Sequence, residues 1–370
     1  MKIGIPKEIK SQENRVGITP AGVHQLCGHG HQVFVENGAG VGSGISDTDY
    51  LEAGAVMVAA GDVWSEAELI IKVKEPVASE YQYLRENQII FTYLHLAADK
   101  PQVDALLRSK TTAIAYETVQ LDDGALPLLS PMSEVAGRMA VIIGSYHQLK
   151  HVGGSGTLIT SVPGVNKMNV VVIGAGTSGS NAARAANGLG ANVTLIDVNL
   201  KRLAELDAEF GGQVETLFST EYSIRKAVAQ ADLVIGSVLI PGAKAPKLVT
   251  HEMMLNARPG SVWVDIAVDQ GGCFEDTHPT THADPTFMVG ESVIYAVANM
   301  PGAVPATSTY ALTNATLSYA TGLANKGWKQ ALRDNSALAR GLSTTGGQLV
   351  CAPVGEAFGY DSVSVESVLA

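Results

Sequence analysis

Charge is scarce in this chain. Of its 370 residues only 16% are Asp, Glu, Lys or Arg, while 46% are hydrophobic. That balance excludes an intrinsically disordered chain, which carries many charges and few apolar residues. A basic excess is also missing, since the formal net charge is −11. Nucleic-acid binding needs a basic footprint, so no nucleic-acid partner is expected. Long apolar runs are absent too. The longest nearly uncharged one lies around residues 233–240, far short of the ~18 residues of a membrane span. The opening Met1-Lys2-Ile3-Gly4-Ile5-Pro6-Lys7-Glu8 has no apolar core of signal-peptide length. The three cysteines, Cys27, Cys273 and Cys351, form no disulfide or metal spacing, and reduced thiols suit a cytoplasmic protein. Low charge further suggests that some surface is buried between subunits.

What is there is an α/β enzyme pattern, long enough for two domains. Its centre is residues 168–197. An apolar strand, Val170-Val171-Val172-Ile173, leads into Gly174-Ala175-Gly176-Thr177-Ser178-Gly179 and a small-residue helix; a second apolar strand ends in Asp197. This is the G-x-G-x-x-G fingerprint in its βαβ context. Gly174 permits the tight turn, Gly176 lets a pyrophosphate approach the backbone, and Gly179 lets helix and strand pack closely. The helix start near Thr177 and Ser178 offers N–H groups to the phosphate charge. Asp197 lies 23 positions past Gly174, close to the ~20 expected of the acid that binds the ribose. A carboxylate there repels a 2′-phosphate, so NAD is expected in preference to NADP. Arg202 is a counter-signal, because a nearby arginine can hold that phosphate.

The first segment alternates strands and helices. Strands are expected at Lys2–Ile5, Gln32–Glu36, 69–73, 89–93 and 112–116, with helices such as 20–27, 47–53 and 100–108 between them. Such alternation implies a parallel sheet. A long helix is expected over 131–150, capped by Ser130. The nucleotide half continues with a helix at 200–210 and strands at 213–218, 233–235, 262–265 and 293–297. Helices follow at 310–325 and 327–335, and the tail from Ser343 reads as turn-rich. The expectation is two doubly wound, Rossmann-like parallel-sheet domains separated by a cleft, the first discontinuous. Residues 1–129 and 301–370 would form the substrate domain and 130–300 the NAD domain.

Ligands of open α/β sheets bind beyond the carboxyl ends of the strands. Arg15 follows the first strand, Lys74 closes the third, and His95 follows the fourth. Two cations suit a small carboxylate substrate, and an imidazole can move the proton that accompanies hydride transfer. Ordinary surface ion pairs with Glu13 and Glu75 are the alternative for the cations, and a plain core or surface histidine is the alternative for His95. In the nucleotide half, Asp265 and Asp269 compete as the catalytic acid. Asp265 ends a strand and suits a local backbone cap; Asp269 stands further into the loop, before Gly271-Gly272, and is preferred. Asn299 and Met300 reach the same edge from the next strand.

Several long runs carry a resemblance. They are Gly4-Ile5-Pro6-Lys7-Glu8, Asn14-Arg15-Val16-Gly17-Ile18-Thr19-Pro20, Val73-Lys74-Glu75-Pro76, Thr92-Tyr93-Leu94-His95-Leu96 and Ala115-Tyr116-Glu117-Thr118. Further ones are Pro131-Met132-Ser133-Glu134-Val135-Ala136-Gly137, Val172 to Gly179, Asp265 to Gly272, and Ala298-Asn299-Met300-Pro301-Gly302. Together they resemble the family that bacterial L-alanine dehydrogenases share with the soluble nucleotide-binding part of proton-translocating transhydrogenase. The resemblance implies reversible, NAD-dependent oxidative deamination of L-alanine to pyruvate and ammonia. It implies that Arg15 and Lys74 hold the substrate carboxylate and carbonyl oxygen, that His95 is the general acid/base, and that Asp269 positions water or ammonia. It also implies that NAD is lined by Ser133, Thr177, Asp197, Arg202, Ser219, Val238, Leu239, Ile266, Ala267, Val268, Asp269, Val297, Ala298, Asn299 and Met300, and that the assembly is a homohexamer. There are departures. Some relatives carry an arginine where this chain has His278. Others carry a metal-binding Glu and His where it has Gly322 and Lys326, so no metal is expected. Two rival readings are a transhydrogenase nucleotide domain and a non-catalytic NAD-sensing regulator.

Overall fold

The computed structural model describes residues 1–238 and 245–370. Fifteen strands are found among them: β1 (Lys2–Ile5), β2 (Gln32–Glu36), β3 (Val56–Val58), β4 (Leu69–Ile71), β5 (Ile89–Thr92), β6 (Thr112–Ala115), β7 (Asn169–Ile173), β8 (Asn192–Asp197), β9 (Val214–Phe218), β10 (Leu233–Gly236), β11 (Val262–Asp265), β12 (Thr286–Val289), β13 (Ser292–Tyr295), β14 (Leu342–Thr345) and β15 (Gln348–Leu349). The chain divides into two compact units. One comprises Met1–Met132 with Val304–Ala370, the other Ser133–Ala303.

The first unit is built on an eight-stranded sheet in the order β15-β14-β6-β5-β4-β1-β2-β3. β1 to β6 all run parallel, while β14 joins β6 antiparallel. The central parallel strands β1, β4, β5 and β6 are covered on both faces, as parallel strands usually are. Ile3, Ile5, Ile70, Ile90, Phe91 and Ile114 are all fully buried. The helix Pro305–Lys326 starts with proline in its first turn, where the missing N–H costs nothing. It is tied to the N-terminal part by hydrogen bonds from Val16 N to Thr309 Oγ1 (3.2 Å) and between Ser43 Oγ and Thr309 Oγ1 (2.8 Å).

The tail departs from the turn-rich expectation, since Ser343-Thr344-Thr345 lies in β14. Thr344 Oγ1 donates to Thr111 O, and Thr345 meets Thr112 at 2.9 Å. Gly346 and Gly347, both at positive φ, close the two-residue hairpin to β15.

The second unit has a seven-stranded sheet in the order β12-β13-β11-β10-β7-β8-β9, parallel except for β12 against β13. The chain runs outward through β7, β8 and β9, then restarts on the other side of β7 with β10. That reversal creates a switch point between β7 and β10. The long helix spans Ser130–His147 and stops short of Lys150. Ser130 is already inside it, and its hydroxyl donates to Leu126 O (3.0 Å), so it is not the cap the sequence suggested. No helix among the described residues is long and apolar enough to cross a membrane.

Candidate active site

β5, β4 and β1 are consecutive and parallel in the first sheet, so their carboxyl ends open on one edge. Arg15 is only 2% exposed. Its Nε donates to Glu13 Oε1 at 2.6 Å, and its Nη2 pairs with Glu13 Oε2. Nη1 contacts Met132 Sδ at 3.1 Å. The surface ion-pair alternative is therefore corrected: the pair with Glu13 exists, but it is buried. Burial pulls the guanidinium pKa down, the Glu13 carboxylate more than offsets this, and the net shift is upward. Arg15 stays charged, in a plane fixed by Glu13.

Lys74 is half-buried and held by its backbone. Its N–H donates to Glu8 Oε1 (3.2 Å), and its carbonyl accepts from Thr92 Oγ1 (2.9 Å). Glu8 also accepts from Val73 N (2.6 Å) and pairs with the fully buried Lys72, which in turn pairs with Glu80. Lys72 thus pairs with two buried acids, Glu8 and Glu80. Sequence reasoning missed Lys72, since nothing local marks its partners.

His95 is exposed and lies at φ 50, ψ 36, in the left-handed region. The Tyr93 ring stacks on it with centroids 5.9 Å apart and 11° between planes. Tyr93 OH donates to Leu128 O, and the Arg15 charge acts on the same phenol. Burial raises the Glu75 carboxyl, but its hydrogen bond from Lys10 and the fields of Lys74 and His95 outweigh that, leaving its pKa below the ordinary value. Arg15, Lys74 and His95 thus share one neighbourhood, linked through Tyr93 and Glu75.

The second unit holds the nucleotide fingerprint. Gly174 sits at φ 101. A Cβ on Gly179 would lie 1.7 Å from Gly174 O, whereas one on Gly176 would meet no heavy atom within 4 Å. The first glycine is needed for the turn, the last for packing, and the middle one faces open space of the kind a pyrophosphate requires. No side chain caps the helix Thr177–Gly188, which leaves its leading amides for an anion. These residues fit a dinucleotide. Asp197 accepts from Ala175 N (2.6 Å) and Asn199 N (2.8 Å), which fixes its carboxylate beside the loop. Arg202 folds back, with Nε on Ala175 O (3.1 Å) and Nη1 on Glu205 (3.1 Å). The counter-signal for a 2′-phosphate is thereby weakened.

The remaining expected contacts stand along the same carboxyl edge. Ser219 follows β9 and Val238 follows β10, both half-buried; Leu239 lies outside the described residues. Gly137 lets the helix Ser130–His147 pack directly on the Ser178 backbone, with Ser133 one turn earlier. After β11, Ile266 N donates to Gly236 O (2.9 Å), and Ala267 and Val268 are buried. Asp265 is fully buried and accepts from Ala267 N (3.1 Å) and Cys273 N (2.9 Å). It does act as a local cap. Asp269 is exposed, and its Oδ2 accepts from Asn299 N (3.4 Å). Val297 and Met300 are buried, and Ala298 and Asn299 half-buried. His278 is exposed and stacks on Phe287 at 4.0 Å. Lys326 pairs with Asp334, and no cluster of metal ligands occurs among the described residues.

Two family models cover nearly the whole chain: "Alanine dehydrogenase/PNT, N-terminal domain" over residues 4–136, and "Alanine dehydrogenase/PNT, C-terminal domain" over 140–352. The chain belongs to the alanine dehydrogenase/PNT family. Within that family it is 59% identical to an alanine dehydrogenase of Mycolicibacterium smegmatis, over 95% of each chain. It is 56% identical to one of Mycobacterium tuberculosis over 100% of both. A solved L-alanine dehydrogenase superposes with a TM-score of 0.93 at 49% identity, covering all of both chains. A transhydrogenase from Sinorhizobium meliloti gives 0.81 at 28%, covering 95% of this chain and 99% of that one. Dehydrogenases in the family are thus much nearer in sequence than this transhydrogenase.

Proposed function

We propose that this chain is an alanine dehydrogenase, catalysing the reversible NAD-dependent oxidative deamination of L-alanine to pyruvate and ammonia. The observation that carries this is the grouping of Arg15, Lys74 and His95 on one sheet edge, in a chain matching alanine dehydrogenases along its full length. Arg15 and Lys74 hold the substrate carboxylate and the oxygen of its oxidised carbon. Glu13 keeps the guanidinium charged and in plane, so the carboxylate meets a preset fork of donors. The bound nicotinamide ring supplies the acceptor for the Cα hydride. His95 takes the proton from the amino group's side of the reaction and returns it when the carbinolamine collapses. Asp269 holds the water that adds to the imine carbon, or the ammonia that leaves it. Gly174, Gly176, Thr177, Ser178 and Gly179 cradle the pyrophosphate, and Asp197 takes the ribose hydroxyls.

The transhydrogenase reading is the weaker one, given 28% identity against 56–59%. A regulator without chemistry would have no use for Arg15, Lys74, His95 and Asp269 together. We further propose a cytoplasmic homohexamer. Ile142 and Tyr146, one helical turn apart, are 65% and 52% exposed, as befits surface covered by another subunit. Light scattering gives its size.

The test is NADH formation from alanine, serine, glycine and lactate, each offered with NAD and with NADP. Alanine with NAD should lead the panel. No reduction of NAD by alanine, or a stronger signal from lactate, would overturn the assignment.

A further inference from the structure

The run 115–118 has no part in the chemistry above, yet its glutamate touches the base. β6 lies beside β5, with Ala115 level with Thr92. Two residues past its end, Glu117 reaches across to the neighbouring strand's exit. Its Oε1 accepts from His95 N at 2.7 Å, and both its oxygens accept from Leu94 N, at 3.1 and 3.2 Å. Its target is a strained place, since His95 is one of five non-glycine residues at positive φ among those described. L-residues avoid that region because Cβ crowds the backbone. No side-chain cap from His95 supports the short turn Leu96–Ala98 that follows. Glu117 is itself half-buried, so its bonds to the two amides are partly shielded from water.

We propose that Glu117 is a positioning residue: its carboxylate clamps the consecutive amides of Leu94 and His95 and so holds the backbone from which the His95 imidazole works. Without it the residue relaxes toward the ordinary α or β regions, and its Cα–Cβ bond turns away. The Tyr93 ring stack then fixes the imidazole plane on a backbone already set. A carboxylate suits this task because it only accepts, and both amides only donate. A glutamine with its oxygen in the Oε1 place keeps an acceptor for both amides but turns a donor toward Leu94 N.

This inference rests on the alanine dehydrogenase reading, and the test separates the two. Glu117→Ala and Glu117→Gln are compared with the unaltered full chain. The readouts are kcat and KM for alanine, NAD affinity, and hydrogen exchange at the Leu94 and His95 amides. In Glu117→Ala, kcat should fall at least about 10-fold and in Glu117→Gln by less, with KM for alanine and NAD affinity within about 3-fold. Exchange at both amides should quicken in the same order. The clamp is overturned if kcat in Glu117→Ala stays within about 2-fold. It also fails if kcat falls while exchange is unchanged, or if both variants raise KM for alanine alike, which would mark a charge acting on the substrate. A parallel loss of NAD affinity would mean general destabilisation and overturns it too. If the unaltered chain does not oxidise alanine, the functional reading fails while the exchange measurement still decides the clamp.

Discussion

At the scale of single residues, the proposed site rests on groups held in place by carboxylates: Glu13 fixes the Arg15 guanidinium, and Glu117 holds the His95 amide. Arg15, Lys74 and His95 were legible because each follows the end of an apolar strand. Glu8, Lys72 and Glu117 were not, because their partners are distant in sequence or their contacts are to backbone amides, which leave no spacing signal. Two outcomes follow for the named residues. His95→Ala should lower kcat by about 10²- to 10⁴-fold, the usual range for a general acid/base. NAD affinity should be unchanged, because the fingerprint 174–179 belongs to the other compact unit; calorimetric titration with NAD checks this, and near-normal turnover would remove His95 from its role. Asp197→Ala loses charge-assisted bonds to the ribose, which contribute about 1.5–3 kcal/mol, or about 10- to 100-fold in NAD affinity. It also frees Ala175 N and Asn199 N from their acceptor, so some stability goes with it. The ratio of NADP to NAD affinity is insensitive to that loss. It should rise, and an unchanged ratio would contradict the assignment of Asp197 to the ribose.

At the scale of elements, two loops can be tested by what a single group would meet. Gly176 and Gly179 look alike in the motif, but their surroundings differ. Gly176→Ala adds a methyl into open space at an ordinary φ of −66. Its melting temperature should stay within about 1–2 °C of the parent, while NAD binding drops sharply. Gly179→Ala drives Cβ to 1.7 Å from Gly174 O and 2.6 Å from Ser237 Oγ. It should cost about 3 kcal/mol or more as overpacking against backbone, read by chemical denaturation without ligand. Equal stability losses in both variants would refute the distinction. The loop after β11 responds to pH. Burial raises the Asp265 carboxyl from its ordinary 3.8 to about 6, against the pull of the Phe274, Cys273 and Ala267 amides. A carboxyl whose folded pKa is raised binds its proton more tightly in the native state. Its contribution is therefore most favourable below the unfolded value and is lost as pH climbs through about 6. Relative to Asp265→Asn, which does not titrate, the parent should lose about 2–3 kcal/mol of unfolding free energy between pH 4 and pH 7. Parallel curves for the two proteins would show that the Asp265 pKa is not raised on folding.

At the scale of the whole molecule, most parallel strands were readable because they announce themselves as apolar runs between helices. β14 and β15 escaped notice because they are short and rich in Ser, Thr and Gly, although the Gly346-Gly347 pair was a hairpin signal in plain view. That segment matters to how the chain can be cut. The second unit draws its whole sheet from contiguous residues and has its own core around Val171, Ile196, Val234, Trp263, Phe274 and Ile294. The first unit is completed only by residues that come more than 170 positions later in the chain. Cut away from them, residues 1–132 lose the helix Pro305–Lys326 and bare β6 as an edge strand, which invites aggregation. A fragment of residues 130–303, which keeps the helix Ser130–His147 whole, should be soluble, unfold cooperatively and bind NAD, yet show no turnover of alanine. A fragment of residues 1–132 should be insoluble or unfolded, and adding residues 304–370 in trans should recover part of its solubility. Circular dichroism melts and NAD titrations of the separately expressed pieces check both. A cooperative, soluble 1–132 would mean that the terminal segment only decorates the first sheet, and an unfolded 130–303 would mean that the nucleotide fold depends on the other unit for its core.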